Sequence, residues 1–336
     1  MQSLTIIANW KKLLRDFSHK RGNTELTTRG HAEGGHIMET TVLITGATGF
    51  IGSRVCDALV ERGDAFGVLS RNPTRAREKF STAKGVHGWD TGAEVLSGVD
   101  AIIHLAGETI AGRWNAEKKR RIRESRVTST QQLVALLTAA ETKPSALVCA
   151  SAIGYYGDSG DAQFTETSPA GTDFLAEVCQ EWEGEALKAR ELGIRVVTVR
   201  IGLVLGNGGG LLAQVLPPFK MGVGGKLGSG NQWMSWIHVD DVVGILLHAM
   251  DTASVSGALN ATAPAPVRNI EFTKTLGAVL GRPTLFPVPK FGLKLMMGEF
   301  ADFVVLSQKI LPEKTEGSGY TFQHRTLESA LRACLE

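Results

Sequence analysis

A doubly wound α/β fold, in which a parallel sheet carries helices on both faces, is what residues 41 to 250 predict, on three observations. Short β-branched runs take turns with longer helical stretches, the order that right-handed crossovers require. A glycine triplet lies directly between the first such run and the first helix. The composition is globular, with 43% apolar and 21% charged residues and a net charge of +2, glycine alone standing in excess at 39 of 336. At roughly 150 residues per domain the length allows about two domains, or one large domain with an appendage.

The elements follow in order. Val42 to Thr45 reads as a buried strand, Ile51 to Glu61 as a helix with Val55, Leu59 and Val60 inward, and Phe66 to Ser70 as a second strand. Trp89-Asp90 closes a third strand. Then come a strand from Ala101 to Leu105, a helix from Glu117 to Ala140, a strand from Ala146 to Ser151, a helix from Phe174 to Leu192 and a strand from Arg195 to Arg200. After Gly202 the rhythm gives way to glycine-rich loops, Gly206 to Gly210 and Gly222 to Gly230, which in an open α/β sheet build the substrate side. One more helix runs from Val239 to Met250, and a tail from Thr284, with Pro287, Pro289 and Pro312, reads as a small helical cap. The chain therefore divides into a basic extension (1–38), a doubly wound domain (39–235), and a last sheet-covering helix with a small C-terminal domain (236–336).

Several function classes fall away. Thirty-six basic against 34 acidic residues leave no field for nucleic acid. No apolar run approaches the roughly 18 residues of a membrane helix. Cys56, Cys149, Cys179 and Cys334 form no Cys-x-x-Cys pair, which argues for a reducing compartment, and no cluster of histidine and acid along the chain suggests a metal. The cytoplasm is the expected location. The basic leader, with Lys11, Lys12, Arg15, Lys20, Arg21 and Arg29, reads as an organelle-targeting peptide or as an extension upstream of a start at Met38. The expected partner is a small molecule, and a homodimer is compatible with the chain.

The sharpest motif is Thr45-Gly46-Ala47-Thr48-Gly49-Phe50-Ile51-Gly52, spaced Gly-x-x-Gly-x-x-Gly. Gly46 permits a tight turn, Gly49 lets backbone approach a pyrophosphate, and Gly52 lets helix and strand pack closely, while Thr48, Phe50 and Ile51 bring helix N–H groups to the anion. This is the arrangement of a Rossmann dinucleotide site. About 20 residues on, an acid would bind the ribose of NAD, but the chain has Ser70-Arg71. A guanidinium there suits a ribose phosphate, which favours NADP(H), the alternative being that Arg71 caps a solvated loop. Asp90 is placed to reach the adenine amine or to cap the next helix. Leu105-Ala106-Gly107 ends the fourth strand with small residues against which a cofactor can lie.

Together with His104-Leu105-Ala106-Gly107, Ser151, Tyr156-Gly157 and Ile237-His238-Val239-Asp240-Asp241, the motif resembles the extended short-chain dehydrogenase/reductase superfamily of sugar-nucleotide epimerases and dehydratases. More narrowly, Leu105 to Glu108, Arg113-Trp114, Ser125-Arg126, Gly154 to Gly157, Trp182-Glu183 and Gly202 to Gly206 are similar to its atypical YfcH-type branch, also labelled SulA-like. The resemblance runs from about Thr40 to the C-terminus. It implies a serine at the end of the fifth strand, which Ser151 matches, and a Tyr-x-x-x-Lys on the next helix, where tyrosine moves a proton and lysine lowers its pKa. That helix reads Phe174-Leu175-Ala176-Glu177-Val178-Cys179-Gln180, with neither.

Of three tyrosines, only Tyr155 and Tyr156 follow Ser151 closely, as proton donors or as packing and cofactor-covering rings. Glu108 and Arg113 are expected to face substrate. Arg121, Arg126 and Arg200 are candidate cofactor cations, although Arg121 lies in a solvated basic run and Arg200 could pair a buried carboxylate. Cys179 reads as a buried, unreactive thiol, and His104 and His238 as hydrogen-bonded framework. Two functions are expected to compete: an NADP-dependent oxidoreductase or epimerase-like enzyme on a small carbonyl or hydroxyl substrate, and a non-catalytic NADPH-binding regulator.

Overall fold

The computed structural model describes residues 40–336. The leader and the expectation of a targeting role lie outside the described residues.

Seven strands form one sheet: β1 (Thr41–Thr45), β2 (Ala65–Leu69), β3 (Gly85–His87), β4 (Ala101–His104), β5 (Ala146–Ala152), β6 (Arg195–Ile201) and β7 (Gly257–Ala261). Their order is β7-β6-β5-β4-β1-β2-β3 and every pair is parallel. This is the Rossmann-like doubly wound sheet. The strand order reverses between β1 and β4, which opens a crevice beyond their carboxyl ends.

Burial on both faces explains why the strands read as continuous apolar runs. Val42, Ile44, Ile103 and Val148 point into one core beneath the helices α1 (Phe50–Arg62) and α4 (Val239–Asp251), while Leu43, Ile102 and Leu147 point into the other beneath α2 (Ala116–Ala139) and α3 (Phe174–Leu187). All seven are at most 1% exposed.

Several elements depart from expectation. The third strand ends at His87, leaving Trp89 and Asp90 in the turn beyond it, and Val60, expected inward on α1, is exposed. The helix from Phe174 ends at Leu187 and tightens into a 3-10 turn over Lys188–Leu192. The sheet continues past the division at 235, because β7 contains no β-branched residue to announce it. The helices Leu212–Lys220 and Asn269–Leu280 were not expected, the first because Pro217 and Pro218 lie inside it. Nor is the Gly206 to Gly210 segment simply a substrate loop. A Cβ at Gly209 would lie 2.0 Å from Phe50 Cδ2, so the glycines make room for the Phe50 ring at the start of α1.

The tail is helical as expected, and it is tied down at two places. Trp114 stacks on Phe300 and lies against Phe303 and Phe174, and its backbone N–H donates to the Met297 carbonyl. The fully buried Asp241 carboxylate accepts from the backbone N–H groups of Gln323 and His324 at 2.8 and 3.0 Å and from the Tyr320 hydroxyl. Both sheet edges are also occupied. On β7, Asn260 N–H donates to Glu166 and its carbonyl accepts from Thr315 Oγ1; on β3, the Val86 carbonyl accepts from the Arg77 guanidinium. Among the described residues no helix is long and apolar enough to cross a membrane, and the four cysteines are buried and free.

Replacing Asp241 by Ala leaves the part-buried backbone donors of Gln323 and His324 without their acceptor, so we expect a stability loss of about 2 kcal/mol in chemical denaturation. Hydrogen exchange should quicken first in residues 320–335. Unchanged stability and protection would mean that the carboxylate does not hold the tail.

Candidate functional site

The turn after β1 is shaped by two backbone approaches that leave no room for a side chain. Gly46 has φ +72°, and a Cβ there would lie 2.5 Å from the Leu105 carbonyl oxygen; one at Gly52 would lie 2.3 Å from the Gly46 carbonyl oxygen. Helix α1 begins at Gly49, with no side-chain cap and no acid in its first turn. Its first N–H groups and positive dipole end therefore have the free donors that an anion takes. Thr48 and Gly49 are exposed there, while Ile51 packs on the core and Phe50 lies beneath the Arg54 guanidinium.

Beside this turn a hydrogen-bonded chain fixes the end of β4. Thr45 Oγ1 accepts from the backbone N–H groups of Leu105 and Ala106, both at 3.2 Å, and donates to His104 Nδ1 at 2.7 Å. His104 Nε2 donates to Thr130 Oγ1 at 3.0 Å, which donates to the Arg126 carbonyl. Burial pushes the His104 pKa down to about 4, so the ring is a neutral framework piece. Thr45 and Thr130 are the residues that sequence reasoning missed. A threonine directly before the glycine turn was the available signal for the first.

An open cleft of about 490 Å³ lies beyond these strand ends, lined among others by Arg71, Trp89, Ala106, Gly107, Glu108 and Arg121. Ser70 Oγ accepts from the Asn72 N–H, and Asn72 Oδ1 caps the next helix through the Arg75 N–H. Both short polar side chains are spent on the turn, and Arg71 projects between them. No carboxylate among the described residues lies within ion-pair distance of its exposed guanidinium. Glu108 instead pairs with Lys118 at 2.9 Å; that hydrogen bond, with Arg121 and Arg71 nearby, holds its pKa below the usual carboxylate range. Glu124, also on the lining, pairs with Arg120, so both acids of the cleft are engaged and Arg71 and Arg121 give this end a cationic rim with an indole wall.

Other expected cleft residues lie elsewhere. Asp90 is exposed and is not among the lining residues; Trp89 takes the place expected of it. Arg113 is exposed too, with its stem against Gly298 of the tail, because the neighbouring Trp114 is pulled under the tail aromatics. Arg126 lies under the loop, donating to the Glu108 and Ile122 carbonyls, and its Cζ would be 3.3 Å from a Cβ on Gly107. It shapes the cleft floor from beneath.

The expected chemical residues are drawn into a buried network. Ser151 Oγ donates to Glu183 at 2.6 Å, and Arg200 forks onto both Glu183 oxygens at 2.8 and 2.9 Å. Arg200 also donates to the Tyr156 hydroxyl, which donates to Asn260 Oδ1 at 2.7 Å. Ser151, Tyr156, Glu183 and Arg200 are each at most 6% exposed. Burial works against the Arg200 charge, but the hydrogen bonds to Glu183 outweigh it and hold the guanidinium above its ordinary pKa. Burial also pushes the Tyr156 phenol up to about 12 and the Cys179 thiol to about 11. The expectation of Arg200 as a cofactor cation thus meets a buried ion pair, the alternative raised by the sequence. Tyr156 is fixed within the same network. Tyr155 is different: its ring faces the Arg200 guanidinium at 3.4 Å, and its hydroxyl has no partner among the described residues. Away from the cleft, the fold also makes a cluster that spacing along the chain hides, His238 with Asp240 and His324, against the expectation of none.

Comparison with known proteins agrees with this architecture. Residues 42–261 match the model of the NAD dependent epimerase/dehydratase family, and residues 288–334 match a domain of unknown function, DUF1731. The chain is 45% identical over 305 residues to an Arabidopsis thaliana protein named as a chloroplastic homologue of the epimerase family protein SDR39U1, covering 89% of this chain and 87% of the relative. It is 37% identical to the Homo sapiens SDR39U1 protein, over 87% of this chain and 98% of the human one. A crystal structure of human SDR39U1 (isoform 2) with NADPH superposes with a TM-score of 0.79 at 34% identity, covering 88% and 99% of the two chains. With its sheet order, its glycine turn and a family model spanning most of its length, the chain belongs to the NAD dependent epimerase/dehydratase family.

Proposed function

We propose that this protein binds NADP(H) in the cleft and uses it in an oxidoreductase or epimerase-like reaction on a small carbonyl or hydroxyl substrate. One observation carries the choice of coenzyme. Where a carboxylate would receive the ribose of NAD, the chain presents Arg71, which has no ion-pair partner among the described residues, with Arg121 lining the same cleft. A planar guanidinium meets a phosphate through paired, charge-assisted hydrogen bonds. The human relative crystallised with NADPH supports the reading.

The residues present fit that group. The side-chain-free crossing at Gly46 and the uncapped start of α1 form a cradle for a pyrophosphate, and Ala106 and Gly107 leave backbone open to a flat ring. Trp89 gives the adenine end an apolar wall. When bound, the nicotinamide supplies or accepts the hydride. Proton handling falls to the chain. Ser151 has its own proton committed to Glu183, so it meets a substrate oxygen as an acceptor and suits a hydroxyl better than a carbonyl. Tyr155, whose hydroxyl has no partner among the described residues, is the remaining candidate proton donor.

The closed Ser151–Glu183–Arg200–Tyr156 network favours a second reading, a non-catalytic NADPH-binding regulator of the kind the SulA-like label implies. Both readings take a small-molecule ligand, and both suit a reducing location, cytoplasmic or organellar, since the cysteines are free.

Arg71→Ala should weaken NADPH binding by about 2 kcal/mol, roughly thirtyfold, and leave NADH binding within about twofold in calorimetry. Equal losses for both coenzymes would contradict the assignment. To separate the two readings, the protein is incubated with NADPH and a panel of small aldehydes and ketones, and with NADP+ and alcohols, following coenzyme absorbance. Turnover that falls at least about tenfold in Tyr155→Phe supports the enzyme. No turnover on any panel member, with coenzyme binding intact, supports the regulator.

A further inference from the structure

The place where the tail meets α4 carries chemistry that the cleft does not use. His238 ends the short strand Trp236–His238 and caps α4, its Nδ1 accepting from the Asp240 N–H at 3.2 Å. Asp240, in the first turn, keeps its carboxylate half in solvent, with Oδ2 3.4 Å from His238 Nδ1. His324 arrives from the tail, its backbone held by the buried Asp241, and sets Nε2 4.0 Å from the same Asp240 oxygen. The two rings lie 3.9 Å apart, tilted by 39°. One ligand atom from each of the three residues lies within 4.8 Å of the other two.

These spacings are too long for direct hydrogen bonds, which run to about 3.2 Å. The 3.4 Å spacing is near the roughly 3.3 Å edge of a tetrahedron whose metal–nitrogen bonds are about 2.0–2.1 Å, and the 4.0 Å one needs the exposed Asp240 carboxylate to move in by less than an ångström. A second observation points the same way. Neither ring nitrogen of His324 makes a hydrogen bond among the described residues, and its Nδ1 is buried without a partner. Nε2, the atom that faces Asp240, is thereby free to take an ion, while Nδ1 lies on the other side of the ring. Two imidazoles and a carboxylate are the donor set of borderline divalent ions, and Asp240 leaves an open side for water and for entry. The positive end of α4 and the nearby Arg54 act against a cation, and His238 must exchange its helix hydrogen bond for the metal, so tight binding is not expected.

We infer that His238, Asp240 and His324 bind a divalent ion of the Zn2+ class, which clips the C-terminal segment to the start of α4. The site is separate from the cleft and stands whether or not NADP(H) binds.

The test uses the full chain, stripped with a chelator and exchanged into metal-free buffer. Zn2+ is titrated by calorimetry, Co2+ is followed by its visible four-coordinate absorption, and thermal midpoints are recorded with and without Zn2+. The expected result is one Zn2+ per chain at micromolar affinity, a midpoint raised by a few degrees, and roughly tenfold or greater weakening in both His324→Ala and Asp240→Asn. Asp240→Asn changes an exposed side chain and keeps the backbone N–H that caps α4, so it remains informative if His324→Ala loosens the tail. No binding, or binding that keeps its affinity in Asp240→Asn, overturns the proposal, the latter by assigning the ion to other histidines.

Discussion

The crossing of three backbones at Gly46 is the constraint on which the rest depends. The turn after β1, the start of α1 and the end of β4 pass so close that no Cβ fits at Gly46 or Gly52. That closeness brings the Leu105 and Ala106 N–H groups onto Thr45 Oγ1 and sets the level of the cleft floor. The same crossing exposes the first N–H groups of α1 on the side where β2 delivers Arg71. Without it, a cationic rim and an anion-binding helix end would exist as separate features.

Where related folds keep a tyrosine and a lysine on the helix after β5, this chain buries Glu183 two turns further along and neutralises it with Arg200. A buried pair of this kind adds little net stability, because desolvation offsets the attraction, but it dictates which partners its neighbours take. Here it takes the proton of Ser151 and, through Tyr156, reaches Asn260 on the edge strand. The consequence is chemical. Two of three hydroxyls near the expected reaction site have fixed roles, and among the described residues nothing takes up the third, that of Tyr155.

Local pattern made much of this legible and long-range pairing hid the remainder. The sheet up to β6 and the helices on it could be read because each buries both strand faces or one helix stripe, and burial writes itself into the spacing of apolar residues. β7 could not, since Gly257-Ala258-Leu259-Asn260-Ala261 carries its signal in what packs on it. In the cleft, the glycine turn and Arg71 were visible because their chemistry is local. Asp90 and Arg113 are exposed and outside the residues that line the cleft, while their neighbours Trp89 and Trp114 turn inward, a choice that spacing along the chain does not announce. Partners such as Glu183 for Arg200, or His324 for His238, meet only after the chain has folded.

The treatment of the two sheet borders has its own consequence. With Glu166 and Thr315 occupying both backbone groups of Asn260 on β7 and Arg77 occupying the Val86 carbonyl on β3, each border presents an interrupted ladder to an incoming strand. Strand-on-strand growth, the geometry of fibrils, would have to break those contacts at each border before it could begin.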